Sequence, residues 1–289
     1  MELSLMDFRF ISNSESELGE SPVYSRRSEE VVWTDISGKK WIRHNLDSGD
    51  TKIQESTGMI GAIAVRKNSG YIAAVEEGFA TLEENETYVV TNQILDTNQR
   101  MNDGKCDAKG RFWAGSIDLN FRKAKGKLFK LDTNFKSELM LGDLTLPNGL
   151  DWSPGNEYFY LIDSLEYELW RFDFDLENGL IANKKIFYKF NPNEGTPDGI
   201  CISSCGHILV ALYEGSAIHI ISPEGTLIRI IELPVKRPTS CIFVGENLDN
   251  LVITSAQDKI KDPQENLAGK TLLLSGVGLT GKELYSFGG

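Results

Sequence analysis

Three short stretches of this sequence, NDGKCD at 102–107, PNGLDW at 147–152 and PDGICI at 197–202, are near-copies of one another. Taken singly, an Asn-Gly or Asp-Gly pair between apolar runs signals a two-residue hairpin turn. Here each pair is followed by a second turn and a second β-rich run: AKGR then FWAGSI, SPGN then YFYLID, SSCGH then ILVALY. A further strand-like run follows in each unit, GKLFKLD, ELWRFDFD and AIHIIS, ahead of another polar turn. The pairs therefore open a strand at a fixed phase of a longer unit instead of joining the two halves of a hairpin.

The unit extends in both directions. LGESPVYSRRSEEVVWTDI opens on Gly19, IGAIAVRKNSGYIAAV on Gly61, and PTSCIFVGENLDNLVITSA carries Ser240 where the others carry glycine. Successive slots at 19, 61, 104, 149, 199 and 240 lie 42, 43, 45, 50 and 41 residues apart. A period of about 40–45 residues built of strands is that of a four-stranded propeller blade. Six repeats without a helical pattern predict an all-β, six-bladed β-propeller with four-stranded blades around a central channel, residues 1–289 forming one domain. Residues near DFRFI are expected to complete the last blade and close the ring.

Composition excludes some partners. A net charge of −12 argues against nucleic acid, whose phosphates select a basic face. No apolar run approaches the roughly 18 residues of a membrane span, and MELSLMDFRFISNSE lacks the basic start and long apolar core of a signal peptide. A cytoplasmic protein is expected, with no membrane partner. Cys106, Cys201, Cys205 and Cys241 form no CxxC pair and read as small buried residues of a reducing compartment.

In a propeller the first strand of each blade lines the channel, so residues around the slot converge on one mouth. They are Glu20, Ile60, Asn102 with Asp103, Asn148, Asp198 and Thr239. Four of the six slots carry acids or amides, a set of oxygen ligands suited to a hard cation such as Ca²⁺ or Mg²⁺, with Mn²⁺ also at home. The plainer alternative is that Asn148 and Asp198 are turn residues satisfying local backbone. Arg100, two residues before Asn102, can offer a planar fork of donors to a hydroxyl-rich ligand, or be a solvated surface arginine. The segment IDLNFRKAKG at 117–126 reads either as an interstrand loop or as a lid over the mouth. DFDLENG at 173–179 lacks the glycine and glutamate positions of a calcium loop and reads as a hairpin. His44, His207 and His219 all stand away from the slots, which leaves carboxylate, amide and metal chemistry.

LGESPVY, RMNDGKCDAKGRFWAGSI, LPNGLDWSPGNEYFYLIDS, TPDGICISSCGHILVA and LPVKRPTSCIFVGENLDNLVITSA, spanning about residues 18–256, together resemble the SMP-30/gluconolactonase family of regucalcin-like proteins and sugar lactonases. That resemblance implies a six-bladed propeller binding one divalent metal (Ca, Zn, Mn, Mg or Fe) through Glu20, Asn148 and Asp198. It implies sugar contacts from Arg100 and Asn102, with Asp103 as a supporting or substrate contact. The family's WAGTM followed by acids, one of which can touch the sugar, is here WAGSIDLN, so that part falls to Asp118, to Asn120 or to neither. The expected activity is hydrolysis of a small-molecule sugar lactone to its aldonic acid, the metal acting as Lewis acid and Asp198 as proton acceptor. The alternatives are a non-catalytic calcium- or ligand-binding propeller and a promiscuous metal-dependent esterase.

Overall fold

A computed structural model describes residues 7–83, 88–257 and 266–289. They form six antiparallel four-stranded sheets, each consecutive in sequence except the last. The innermost strands are Gly19–Ser25, Ile60–Val65, Gln99–Cys106, Pro147–Trp152, Thr196–Ile202 and Pro238–Val244. Each touches the innermost strand of the blade before and after it, and Pro238–Val244 touches Gly19–Ser25, so the ring closes as a six-bladed propeller. Closure is also secured at the periphery. Asp7–Phe10 pairs antiparallel with Leu272–Ser275 as the outer strand of blade six, in the register Asp7↔Ser275 to Phe10↔Leu272.

Burial falls off outward along each blade. Pro147–Trp152 and Pro238–Val244 are buried at every position, whereas the outer strand Thr51–Glu55 is largely exposed and carries Lys52 and Glu55. Charge on an outer strand discourages edge-to-edge pairing with other chains. Between sheets the core is aromatic. Trp113 of blade three lies 5.9 Å from Trp152 and 5.4 Å from Phe159 of blade four, ring centre to ring centre. DFDLENG is the hairpin between Glu168–Asp175 and Leu180–Lys189. Cys106, Cys201 and Cys241 are buried as expected, but Cys205 is exposed, because it sits in the SSCGH turn and not on a strand.

At the channel the glycines of the repeat are explained by space. A Cβ on Gly61 would stand 2.2 Å from the Asn102 carbonyl oxygen, and one on Gly149 would stand 2.6 Å from that of Asp198. On Gly199 it would meet Ser240 Oγ at 2.2 Å. The slot residue is where one blade's inner strand presses on the next. Every inner strand also breaks register with its neighbour at this phase, between Ile60 and Ala62, Met101 and Gly104, Pro147 and Leu150, Pro197 and Ile200, and Pro238 and Ser240. A bulge re-aims the side chain it carries. In blade one the break lies between Glu20 and Val23, so the slot residue is Ser21, at φ 45°, and not Gly19 as the sequence alignment has it. Gly19 instead packs on the backbone of blade six, 2.8 Å from the Ser255 carbonyl in the same test. Glu20 thereby takes the position of Ile60, Asp103, Asn148, Asp198 and Thr239, each directly before its slot.

Beyond blade six the chain crosses the C-terminal ends of the inner strands. Gly281 N–H donates to Leu248 O (2.7 Å), Phe287 N–H to Val65 O (2.8 Å) and Gly288 N–H to Gly110 O (2.9 Å), with Phe287 fully buried.

Gly149→Ala sets a methyl group against the Asp198 backbone and is expected to cost about 1–3 kcal/mol of stability. Gly142→Ala, where a Cβ meets nothing within 4 Å, is expected to stay within about 0.5 kcal/mol of the parent. Thermal unfolding of the two variants side by side checks this; equal melting temperatures would refute the packing role of the slot.

Candidate functional site

Because all six inner strands run the same way through the ring, residues at their N-terminal ends collect at one mouth of the channel. Glu20, Arg100, Asn102, Asp103, Asn148 and Asp198 are all there and all buried. They sense one another's charge: Asp103 and Arg100 act on Glu20, Glu20 and Asp103 act on Asp198, and Glu20 and Asp198 act on Arg100. Burial, then repulsion from Asp103, pushes Glu20 from the ordinary carboxyl value of 4.5 up to about 8. Burial and then Glu20 and Asp103 push Asp198 well above the carboxylate range, against hydrogen bonds from Asn148 and Gly199. Asp103 is raised by burial, against the pull of Lys105 and hydrogen bonds from Ser21 and Gly104. Arg100 is drawn down to about 10 by burial, which Glu20, Asp198 and Glu76 oppose.

The hydrogen bonds divide these residues into two kinds. Glu20 Oε2 accepts from Ser21 N–H (3.1 Å) and Asp103 Oδ1 from Gly104 N–H (2.7 Å), so each caps the bulge that carries it. Ser21 Oγ also donates to Asp103 Oδ1 (2.8 Å), tying blade one to blade three. Arg100 Nη1 donates to Met101 O and to Asn102 Oδ1, both at 2.8 Å. Asn102 Nδ2 donates to Pro147 O at 3.1 Å, so the amide that holds Arg100 is itself tied to the backbone of blade four. By contrast Asn148 Oδ1 and Asp198 Oδ1 are buried with no hydrogen-bond partner. Asn148 Nδ2 donates to Ser164 Oγ (3.2 Å), which fixes which way the amide oxygen faces.

Two orphaned oxygens beside buried, mutually repelling carboxyls are the arrangement a hard cation would satisfy, and every donor is oxygen. Among the described residues no three His, Cys, Asp or Glu side chains form a metal-binding group, so such a site depends on the Asn148 amide joining Glu20 and Asp198.

Asp118 and Asn120 are not drawn into this group. Asp118 Oδ1 accepts from Asn120 N–H (3.0 Å) and Oδ2 from Arg122 Nε (3.0 Å), and the Arg122 bonds come first in holding its carboxyl down to about 2. The same phase of the sister blades carries a structural acid. Asp35 accepts from Glu17 and Leu18 N–H, Asp163 from Thr145 and Leu146 N–H, and Glu76 from Met59 N–H. Asp118 is the member of that series that ties down the 117–126 segment. Asn120 is exposed on it. The segment lies beside the mouth, since Lys123 Nζ pairs with Glu166 Oε1 at 2.8 Å and Glu166 neighbours Ser164. Leu119 and Phe121 are exposed there, at 40% and 51%. Sequence reasoning missed Ser21, Ser164 and Glu76. The series Asp35, Glu76, Asp118 and Asp163 is visible in the repeats; the Ser21 and Ser164 contacts, across blades and turns, have no sequence signal.

Comparison with known proteins identifies the family and the fold. The SMP-30/Gluconolactonase/LRE-like region matches residues 18–257. Regucalcin of Gallus gallus is 33% identical over 302 residues, covering 99% of this chain and 100% of that protein. The structure of a calcium-binding protein, regucalcin, from Agrobacterium tumefaciens superposes with a TM-score of 0.91 at 23% identity, covering 98% of this chain and 97% of that one. A gluconolactonase from Xanthomonas campestris gives 0.76 at 18% identity, covering 94% and 90%. At these identities the two structures show a shared fold.

In metal-free protein Glu20 keeps its proton to about pH 8, whereas the unfolded chain releases it near 4.5. Unfolding then releases a proton between those values, so rising pH favours the unfolded chain. Chelated protein is expected to melt several degrees lower at about pH 8 than at about pH 5, and Glu20→Gln to flatten that slope. Calorimetry across the range checks it; a melting temperature that rises with pH in the chelated parent, unchanged by Glu20→Gln, would contradict it.

Proposed function

The chain belongs to the SMP-30/gluconolactonase/LRE-like family, and from that premise we propose that it hydrolyses a sugar lactone to the aldonic acid with the help of one divalent metal. The observation that carries this reading is the pair of partnerless buried oxygens, Asn148 Oδ1 and Asp198 Oδ1, beside the Glu20 carboxyl and within the field of Arg100. Glu20, Asn148 and Asp198 would hold the metal, which supplies Lewis acidity to a bound carbonyl.

The chain's own residues do the rest. Asp198 accepts a proton from the attacking water and returns it to the ring oxygen as that oxygen leaves. For this it must be ionised; burial and its carboxyl neighbours favour the protonated form, and a cation held at the site would favour the ionised one. Arg100 is aimed by Met101 and Asn102, which together occupy Nη1. Its Nε and Nη2 have no protein partner among the described residues and can hold sugar hydroxyls, so that the carbonyl faces the attacking water. Asp103 is fixed by Ser21 and Gly104 and ties the blade-one bulge to the blade-three bulge.

A second reading has its own support. Relatives bear the name regucalcin, one described as a calcium-binding protein, which fits cation binding without turnover. A third rests on Leu119 and Phe121, whose exposed side chains beside the mouth would suit an apolar ester better than a sugar.

Acid release from a panel of aldono-1,5- and 1,4-lactones and aryl esters, blank-corrected, before and after chelation and with single-metal add-back, separates the three. Lactone turnover abolished by chelator and restored by one ion is expected; bound metal without turnover would favour the second reading, and faster aryl-ester turnover the third. Asp198→Asn, which keeps an oxygen ligand but no base, is expected to lose about 10²–10⁴ in kcat. Full metal content with normal turnover in that variant would remove Asp198 from the base role. Arg100→Gln is expected to raise KM about tenfold with a smaller effect on kcat.

A further inference from the structure

The other mouth of the channel has the opposite chemistry. A cavity of about 670 Å³ lies between the C-terminal ends of the inner strands and the final segment Gly281–Ser286 that crosses them. None of the candidate-site residues lines it. In a chain of net charge −12, seven Arg and Lys side chains line this cavity against three acids, Glu30, Asp151 and Glu283.

Pairing within the cavity leaves positive charge over. Arg43 is matched by Glu30 at 2.9 Å. Lys105 and Lys282 share one carboxylate: Lys105 Nζ reaches Asp151 Oδ2 at 3.0 Å and Lys282 Nζ reaches Asp151 Oδ1 at 2.8 Å. Both ammonium groups are drawn inward, with side chains 26% and 11% exposed, and the carboxylate between them is 4% exposed. At the rim, Arg27 and Lys67 are exposed and have no side-chain partner among the described residues. The rest of the lining includes Val23, Ile242, Phe243 and Leu284. Two ammoniums on one carboxylate at the deep end, free cations at the rim and an apolar wall make a receptor for a negatively charged head on a greasy body. The volume is that of an ordinary small-molecule pocket.

We propose that this cavity binds a small organic anion, a carboxylate or phosphate monoester with an apolar body, its head received by Lys105 and Lys282 and its body lying against Val23 and Leu284. The head adds the second negative charge that the two lysines lack, in a place where water is partly excluded and a charged hydrogen bond is strong. The cavity shares no lining residue with the proposed lactone site, and the inference does not rest on that reading.

The test uses the intact chain and 8-anilino-1-naphthalenesulfonate fluorescence as probe, displaced by octanoate, octyl phosphate or, as neutral control, 1-octanol. Saturable probe binding, unaffected by chelator, displaced by either anion and not by octanol, is expected. The better of the two anions identifies the head group. Lys282→Gln keeps the Lys105–Asp151 pair and is expected to weaken probe binding about tenfold or more. Arg27→Gln with Lys67→Gln, both at the surface, is expected to weaken it about threefold and reduce its salt dependence. This double variant carries the test if Lys282→Gln does not fold. No saturable binding, displacement by octanol as effective as by octanoate, or full affinity in folded variants would overturn the proposal.

Discussion

The centre of this molecule depends on how closely six backbones can approach one another. At the slots of blades two, four and five, a single methyl group would stand 2.2–2.6 Å from the next blade. Glycine there is required by lack of space, since none of these three has positive φ. With the strands pressed together, each must relieve its register with the second strand of its own blade, and the bulge that results turns one side chain into the channel. The repeat of glycine and the convergence of Glu20, Asp103, Asn148 and Asp198 are therefore one constraint seen twice.

That convergence has an electrostatic cost, and the structure manages it unequally. Ser21 and Gly104 N–H groups cap Glu20 and Asp103, and Ser21 Oγ bridges the two blades. Asn148 and Asp198 are each left with an oxygen unmatched. The carboxyls retain their protons far above the usual range, and Arg100 is held beside them by Asn102.

The channel is polar along its axis because its six strands are parallel to one another around the ring. Oxygen donors gather at the strands' first residues and ammonium groups near their last. Lys105 stands between the two ends, within the field of Asp103 on one side and bonded to Asp151 and the Ile200 carbonyl on the other. The final segment then lays Lys282 on the same Asp151 and roofs the basic end. The two mouths thus carry opposite charge, and Lys105 and Asp103, which sense each other, are the link between them.

The sequence by itself determined the blade count, the closing strand near DFRFI and the phase at which channel residues occur, because a propeller writes its periodicity into the chain as turns and glycines. Glu20, Arg100, Asn102, Asp103, Asn148 and Asp198 were legible for the same reason, together with their likeness to a known family. Its misalignment of blade one on Gly19 shows the limit, since Ser21 can fill a slot that composition assigns to glycine. Tertiary structure alone decided that Asp118 is committed to Arg122, that Asn102 serves Arg100 and that Ser164 orients Asn148. It alone brought residues near 282 over strand ends more than a hundred positions away. Asp118, Asn102 and Asn148 find those partners within their own blades and Asp151 finds Lys282 across the ring, and a repeat records the phase of a residue, not the partner its side chain turns to.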